Sequence, residues 1–382
     1  MDRSKWEYKK LGEVATCHIG LTYKPTDVID DGGAIVLRSC NIQNNSLSFD
    51  DIVRVSCTIP PTKIVQKGDI LMCSRNGSFK LVGKVAEISD INEPMSFGAF
   101  MTIIRSEYNK FLFHFFLSTY FRNQLHSGQT STINQITTKM LNNINIHVPP
   151  LADQQRIVAE LDCLNEMIAV KQEQLREFDK LAQSIFYDMF GDVSLSFQEF
   201  NSLYEFIDYR GKTPNKISAG VPLITARNIR FGYLDYSVPE FISFEEFETR
   251  KTRGVAHKGD ILFTTEAPMG FVAIADKDVF STGQRVITLQ RKDKVQIHNV
   301  YMLYYLMSEE FQRILLNNAT GVTVKGIKAA KLKKIKVGVP PLSLQQQFAE
   351  KIQAIETQKE LVKQSIAETQ SLLDYTMDKY FG

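Results

Sequence analysis

The sequence predicts an α+β protein that consists of two similar domains of mixed short strands and helices, joined by two long helices that form a coiled coil. Two observations lead to this fold class. Residues 149–191 and 340–382 repeat one pattern without a gap: both begin with Pro-Pro-Leu, continue shortly after with Gln-Gln, and end with Phe-Gly. The segments before them, 1–148 and 192–339, are of nearly equal length and share short anchors in the same order. Such an internal repeat determines the organisation of the whole chain.

Each repeated segment, 149–191 and 340–382, is predicted to be one long helix. Apolar residues recur in alternating steps of three and four, the pattern of a coiled-coil seam. The seam positions are Ile157, Leu161, Leu164, Ile168, Leu175, Phe178 and Ile185 in the first segment and Phe348, Ile352, Ile355, Val362, Ile366 and Leu373 in the second. Polar residues interrupt the seam at Lys171, Lys359, Thr369 and Thr376. We interpret the two helices as a packed pair that separates two globular domains; two long core helices are the simpler alternative.

The ends of these helices carry the expected signals. Proline cannot continue a helix backwards, so both helices should begin at the Pro-Pro pairs. Ser343 and Gln346 have the spacing of a capping box, and Gly191 is a typical residue just after a helix. A helix of roughly 38 residues would be about 57 Å long, which exceeds what one compact domain needs.

Each preceding segment is predicted to be a mixed α+β domain of about 150 residues. Lys-Gly-Asp-Ile-Leu occurs at 67–71 and again at 258–262, and it predicts a tight turn that enters a buried strand. Short strands are expected at 34–37 and 221–224. One helix is expected late in each domain, at about 110–125 and 298–317. Alternating apolar and polar residues at 141–148 and 332–339 predict a strand just before the prolines.

Composition indicates a soluble globular protein of more than one domain. The 382 residues are 43% hydrophobic and 23% charged, and the net charge is +2. No secretory signal or membrane-spanning run is recognisable, and the five cysteines contain no C-x-x-C. We therefore expect a cytoplasmic protein with reduced thiols and no membrane association. The near-neutral charge neither requires nor excludes a nucleic-acid partner, so local patches have to decide.

The chain lacks the motifs of the common enzyme classes. It contains no nucleotide-binding glycine loop, no G-x-S-x-G and no H-E-x-x-H, and its six histidines have no metal-ligand spacing. The acidic pairs at 30–31 and 50–51 resemble nuclease ligands only by residue type, and turns explain them better. We expect no catalytic residue, no metal and no cofactor in this chain.

Polar and basic loops suited to DNA occur at corresponding places in both domains. Phosphates are held by Lys, Arg and hydroxyl groups, and base edges are read by Arg, Lys, Asn and Gln. In the first domain the candidates are Thr22, Tyr23, Lys24, Arg38, Asn41, Arg75, Asn76, Ser78, Lys80, Thr130, Thr132, Asn134 and Gln135. In the second they are Arg210, Lys212, Thr213, Arg227, Asn228, Arg230, Gln284, Arg285, Thr320, Thr323, Lys325 and Lys328. Six lysines between 325 and 336 form the densest basic run, for which a solvated surface is an equal alternative.

The doubled Pro-Pro-Leu-x-x-Gln-Gln openings at 149–155 and 340–346, the long helices behind them and the paired Lys-Gly-Asp-Ile-Leu motifs resemble the specificity (S) subunit of type I restriction-modification systems. The resemblance covers essentially the whole chain. It implies that each domain is a target recognition domain that reads one half of a bipartite, gapped DNA site. It also implies that the two helices form an antiparallel coiled coil that sets the spacing between the half-sites.

The same resemblance implies the partners and their cofactors. Two methyltransferase (M) subunits would dock on the chain, bind S-adenosylmethionine and methylate adenine in double-stranded DNA. Restriction (R) subunits would supply nuclease and translocase activity with ATP and Mg²⁺. This chain would then be a non-catalytic DNA-reading subunit.

Two alternatives remain open at this point. The chain could be a coiled-coil-tethered adaptor whose paired domains bind protein or glycan ligands. It could also be the specificity half of an enzyme that cleaves DNA without translocation.

Overall fold

A computed structural model describes residues 3–126, 135–211, 213–321 and 323–382. The chain divides into two units. Unit 1 consists of Met1–Gln172 and Lys363–Gly382, and unit 2 consists of Glu173–Val362. Each unit therefore contains one domain, the first part of the helix that follows that domain and the last part of the other long helix. Within the described residues no helix is both long and apolar enough to cross a membrane.

Unit 1 is built on two four-stranded sheets. Its strands are β1 (Glu7–Lys10), β2 (Thr16–Ile19), β3 (Val28–Ile29), β4 (Ala34–Leu37), β5 (Ile42–Gln43), β6 (Ser46–Leu47), β7 (Arg54–Val55), β8 (Ile70–Cys73), β9 (Val85–Glu87), β10 (Met95–Phe97), β11 (Met101–Arg105) and β12 (Asn145–Val148). Its helices are α1 (Leu11–Val14), α2 (Asn109–Leu117), α3 (Thr119–His126), α4 (Thr138–Asn143) and part of α5 (Leu151–Phe190). One sheet has the order β2-β11-β8-β9 and is antiparallel. The other has the order β10-β4-β7-β3, with β10 parallel to β4.

Unit 2 repeats the first of these sheets. Its strands are β13 (Ser196–Glu199), β14 (Tyr204–Asp208), β15 (Val221–Ile224), β16 (Phe241–Ile242), β17 (Ile261–Thr264), β18 (Val272–Ile274), β19 (Ser281–Thr282), β20 (Val286–Arg291) and β21 (Lys336–Val339). Its helices are α6 (Phe200–Leu203), α7 (Phe244–Arg250), α8 (Asn299–Met307), α9 (Glu309–Asn318), α10 (Ala329–Leu332) and part of α11 (Leu342–Phe381). The antiparallel order β14-β20-β17-β18 matches β2-β11-β8-β9 strand for strand. The predicted α+β class with two similar domains is confirmed.

The Lys-Gly-Asp turns form as predicted, and the structure explains their aspartates. Gly68 and Gly259 have φ angles of 86° and 91°, a left-handed conformation that glycine adopts without strain. One carboxylate oxygen of Asp69 accepts a hydrogen bond from the Gln66 N–H at 2.8 Å. The carboxylate of Asp260 accepts the equivalent bond from the backbone in unit 2 at 2.8 Å. The strands that follow, β8 and β17, are buried throughout.

The late helix of each domain is broken, contrary to the prediction of one continuous helix. Ser118 separates α2 from α3, and Ser308 separates α8 from α9. Both serine side chains accept a hydrogen bond from a backbone N–H three residues on, at 3.2 Å and 3.3 Å, and so cap a new helix. The predicted strands before the prolines are also shorter than expected, because α4 extends to Asn143 in the first segment, and in the second α10 ends at Leu332 and a turn precedes β21.

Each long helix carries a buried glutamine of the repeated Gln-Gln pair in its first turn. The amide groups of Gln154 and Gln345 each donate a hydrogen bond to the first proline carbonyl, Pro149 and Pro340, at 2.8 Å. This contact ties the first turn of each helix to the chain that enters it. Because α11 begins at Leu342, Ser343 lies inside its first turn, and the predicted capping box does not form.

In unit 1 the beginning of α5 packs antiparallel on the end of α11. The Tyr380 hydroxyl donates to the Glu160 carboxylate, and the Lys171 ammonium group lies 2.7 Å from the Thr369 hydroxyl. The predicted seam residues in this pair are buried or half-buried: Ile157, Leu161, Leu164, Ile168, Ile366 and Leu373. Lys171 and Thr369, which interrupt the apolar pattern, therefore satisfy each other.

Unit 2 contains the corresponding pair, formed by the end of α5 and the beginning of α11. Phe348, Ile352 and Ile355 are buried there, and the seam positions Leu175, Phe178, Ile185 and Val362 are half-buried. The Lys359 ammonium group contacts the carboxylates of Asp179 at 2.7 Å and Glu356 at 2.8 Å. Burial lowers the pKa of Lys359, but these two carboxylates outweigh it and the net effect is a raised pKa. The predicted antiparallel pairing of the two helices is thus present in both units.

Candidate nucleic-acid interface

In unit 1 the predicted DNA-binding loops are brought to one edge of the sheets. β2, β4, β8 and β10 all end there, and backbone hydrogen bonds join the loops that follow them. The Gly98 N–H donates to the Leu37 carbonyl at 2.9 Å, and the Arg75 N–H donates to the Phe100 carbonyl at 3.0 Å. Gln135 forms an isolated antiparallel bridge with Arg75. Loops that lie far apart in sequence therefore form one continuous surface.

Most of the candidate side chains on this edge are open to solvent. The exposed ones are Thr22, Lys24, Arg75, Ser78, Lys80 and Gln135, and the half-buried ones are Tyr23, Arg38 and Asn76. The Arg75 guanidinium lies over the Phe100 ring, 5.3 Å from its centroid. The Asn76 amide donates to the Ser39 hydroxyl at 3.1 Å and links two of the loops.

Unit 2 presents an edge with the same construction. The Gly283 N–H donates to the Ile224 carbonyl at 2.8 Å, and the Thr265 N–H donates to the Arg285 carbonyl at 2.9 Å. The Gln284 amide donates to the Thr213 hydroxyl at 2.5 Å, which joins a third loop. The exposed candidates here are Thr213, Arg227, Arg285, Thr320, Thr323, Lys325 and Lys328, and the half-buried ones are Arg210, Arg230 and Gln284.

Three arginines on the unit 2 edge already face a carboxylate. Arg210 pairs with Asp208 at 2.6 Å, Arg230 with Asp235 at 2.9 Å, and Arg285 with Glu266 at 3.0 Å. Pairs of this exposure stabilise a protein by only about 0.2–1 kcal/mol, so the arginines can exchange a carboxylate for a phosphate or a base at little cost. The six lysines between 325 and 336 are all exposed and extend the basic surface along the chain towards β21.

Asn41 and Asn228 do not face solvent and are corrected to a structural role. They are 1% and 2% exposed, and every polar atom of their amides is used inside the loop. In both, the side-chain oxygen accepts from a backbone N–H three residues earlier and the amide nitrogen donates to two carbonyls. Residue type alone could not distinguish this loop-forming asparagine from one that reads a base. Thr130, Thr132, Asn134 and Lys212 lie outside the described residues.

Sequence reasoning missed three side chains at these edges. Phe100 and Glu266 contact the candidate arginines described above. Arg250 is buried beneath the unit 2 edge, where it donates to the Ser281 hydroxyl at 2.9 Å and the Thr282 carbonyl at 2.6 Å and lies 4.4 Å above the Tyr209 ring. Arg250 thereby connects β19 to Tyr209, which precede the candidate residues Gln284 and Arg210. No local pattern marks these residues, since each depends on a neighbour distant in sequence.

A polar cleft of about 690 Å³ lies at the other end of β17, away from these loops. Its lining includes Lys258, Asp260, Gln290 and Arg291. Burial raises the pKa of Asp260, whose carboxylate accepts the backbone N–H of His257 at 2.8 Å and has a weak side-chain contact at 3.4 Å with the Gln290 amide. Its counterpart in unit 1, Asp69, is instead bound twice by Arg105 at 2.7 Å. Among the described residues no group of three or more His, Cys, Asp or Glu side chains could hold a metal ion.

Replacing Gln290 with arginine is expected to stabilise unit 2 at neutral pH by about 1.5–3 kcal/mol, because it would supply the ion pair that unit 1 has. In the wild type, the pKa of Asp260 is higher in the folded than in the unfolded state. The contribution of Asp260 to the free energy of unfolding is therefore fully present below about pH 4 and is lost as pH rises through the folded-state pKa. In the Gln290→Arg variant the pKa of Asp260 should instead be lowered by folding, so that the free energy of unfolding of unit 2 rises with pH over this range. Amide exchange of β17 and β20 between pH 4 and pH 8 measures both effects. Gln290→Met, which adds no charge, is the control and should give no gain; an equal gain from it would contradict the explanation.

Known proteins resemble this chain along most of its length. The family model described as the type I restriction modification DNA specificity domain matches residues 3–178 and 199–370. The chain is 23% identical over 412 residues to the EcoKI specificity subunit of Escherichia coli, covering 98% of this chain and 88% of that protein. It is 26% identical over 321 residues to the putative MjaX specificity subunit of Methanocaldococcus jannaschii, covering 76% and 72%.

Two solved structures share the fold. One is a chain from a study of complex assembly and conformational transition of the type I R-M system, with a TM-score of 0.60 and 19% identity, covering 99% of this chain and 98% of that one. The other is the type I S subunit from M. genitalium, with a TM-score of 0.52 and 12% identity, covering 99% and 96%.

Proposed function

Because the chain belongs to the type I restriction-modification DNA specificity family, in which it recognises a DNA sequence, we propose that each of its two loop edges reads one half of a bipartite, gapped site. The observation that carries this proposal is that equivalent loops, joined by equivalent backbone hydrogen bonds, form an exposed polar and basic edge in both units. A duplicated edge with different side chains is the arrangement expected of two readers with different half-sites.

We further propose that the α5–α11 pair sets the number of base pairs between the half-sites. Its two helices are each 40 residues long and contribute to both units. Two polar contacts between the helices, Lys171 with Thr369 and Lys359 with Asp179, fix the register of the pair, because a shift of one helix along the other would break them.

The chemistry of the complex would come from partner subunits. Two M subunits would bind S-adenosylmethionine and methylate adenine, and R subunits would use ATP and Mg²⁺, while this chain contributes no catalytic group. A net charge of +2 supports this division. Affinity for DNA scales with the number of phosphates neutralised, so a nearly neutral reader needs partners for part of its backbone contact.

A methylome tests this proposal directly. The chain is expressed with an M subunit from the same organism, and modified adenines are mapped across the host genome. We expect one gapped, two-part motif with a modified adenine on each strand. An associated, soluble complex that produces no new methylation would contradict the proposal and favour a protein- or glycan-binding adaptor.

A further inference from the structure

We propose that one side-chain pair at the tip of each edge determines which bases that unit reads: Arg75 with Phe100 in unit 1, and Glu266 with Arg285 in unit 2. This inference rests on the proposed function, because it assumes that the two edges face the bases. It assigns the reading of each half-site to specific residues, two of which, Phe100 and Glu266, are not among the candidates predicted from the sequence.

The two pairs occupy equivalent backbone positions. In unit 1 the N–H groups of Ser74 and Arg75 donate to the Phe100 carbonyl at 2.9 Å and 3.0 Å. In unit 2 the Thr265 N–H donates to the Arg285 carbonyl at 2.9 Å. Arg75 and Glu266 are therefore counterparts, as are Phe100 and Arg285. In unit 1 the pair lies on the loops after β8 and before β11, and in unit 2 on the loops after β17 and before β20.

The side chains at these positions are exposed and touch each other, yet their chemistry is opposite. Phe100 is 58% exposed, a large value for a phenylalanine that is not part of a core. The Arg75 guanidinium carbon lies 5.3 Å from the centroid of the Phe100 ring, within the range of a cation–π contact. In unit 2 the Arg285 Nε lies 3.0 Å from a Glu266 carboxylate oxygen, and their side chains are 57% and 46% exposed.

A third position beside each pair also differs between the units. Gln135 bridges Arg75 in unit 1, and Gly326 bridges Glu266 in unit 2. A Cβ atom on Gly326 would lie 3.3 Å from the Glu266 Cβ and 3.3 Å from the Thr265 carbonyl oxygen. Gly326 avoids this close approach, while Gln135 adds a further polar side chain at the position that bridges Arg75.

The chemistry of each pair indicates the bases. Arginine donates two hydrogen bonds to the O6 and N7 atoms of guanine in the major groove, and a phenylalanine ring contacts the methyl group of thymine. Unit 1 should therefore read a guanine next to a thymine. Glutamate accepts a hydrogen bond from the N4 amino group of cytosine, so Glu266 with Arg285 should read cytosine and guanine.

The test exchanges the pairs and reads the methylome of the complete complex. The variant R75E/F100R/Q135G gives unit 1 all three tip residues of unit 2, and E266R/R285F gives unit 2 the side-chain pair of unit 1 while keeping Gly326. We expect each variant to change one or two neighbouring positions of one half-site, a different half-site for each, with the other half-site and the gap unchanged. The milder R75K keeps the charge but loses the bidentate geometry, and should reduce discrimination at the guanine by about 5- to 100-fold.

Several outcomes would overturn the inference. The inference would be overturned if both exchanged variants kept the wild-type half-sites. It would also be overturned if R75K methylated the same motif as the wild type with the same discrimination at the guanine. K110E, which reverses a charge on α2 outside the edge, is the matched control and should keep the wild-type motif. If the wild-type complex gives a gapped motif but the exchanges do not alter it, only this inference fails; if the wild type gives no motif, the proposed function fails first. A tip variant can also lose methylation although its amide exchange matches that of the wild type. If R75K then loses methylation as well, the result also counts against the inference.

Discussion

Replacing Phe381 with alanine is expected to destabilise unit 1 by about 3–5 kcal/mol, although this residue is more than 250 positions away from most of the core it joins. Phe381 is the last residue of α11 and is 5% exposed. Its ring lies 5.3 Å from that of Phe111 and 6.0 Å from that of Phe115. Truncation to alanine would leave a cavity between these rings, and the free energy of unfolding of unit 1 would fall.

The internal repeat supplies a matched variant. Phe190 is the counterpart of Phe381 and ends α5, but it packs in unit 2, 4.8 Å from Tyr301 and 5.4 Å from Phe348. Phe190→Ala should therefore destabilise unit 2 and spare unit 1. Hydrogen–deuterium exchange of β8 and β11 against β17 and β20 separates the two effects. Faster exchange of the wrong unit in either variant would show that the long helices do not contribute to the two cores as described.

Inserting seven residues after Gln172 in α5 and seven after Val362 in α11 is expected to lengthen the gap of the DNA motif by about three base pairs. One heptad preserves the seam and adds about 10 Å of helix, and a base-pair step is about 3.4 Å. These positions lie between the Lys171–Thr369 contact and the Asp179–Lys359 contact, so both remain within their own units. The methylome of the variant complex measures the gap and both half-sites together.

The same insertion in α5 alone is the control. It puts the two seams out of register, because the Lys171–Thr369 and Lys359–Asp179 contacts can then no longer form together, and methylation should be strongly reduced. A double insertion that leaves the gap unchanged would contradict the proposal that the helix pair sets the spacing. A change in the half-sites themselves would show that the helices do more than separate two readers.

The regular elements could be predicted because their signals are local. Alternating steps of three and four apolar residues identified both long helices, and Lys-Gly-Asp before Ile-Leu identified the turns into β8 and β17. The two serines that break the late helices were overlooked, because a capping hydrogen bond competes with helix continuation over only one turn. The positions of the loops were also predicted, since both domains carry them at corresponding places.

What the sequence determined by itself was the duplicated architecture and the set of loops, because periodicity and repetition are properties of neighbouring residues. The tertiary structure decided which side chains those loops present. It buried Asn41 and Asn228, which have the right residue type. It also paired Arg75 with Phe100, 25 residues further along the chain, and Arg285 with Glu266, 19 residues earlier. It also placed Phe190 and Phe381 in the core of the opposite repeat. These choices depend on strand ends that meet only after the sheets form, so no pattern within a single segment contains them.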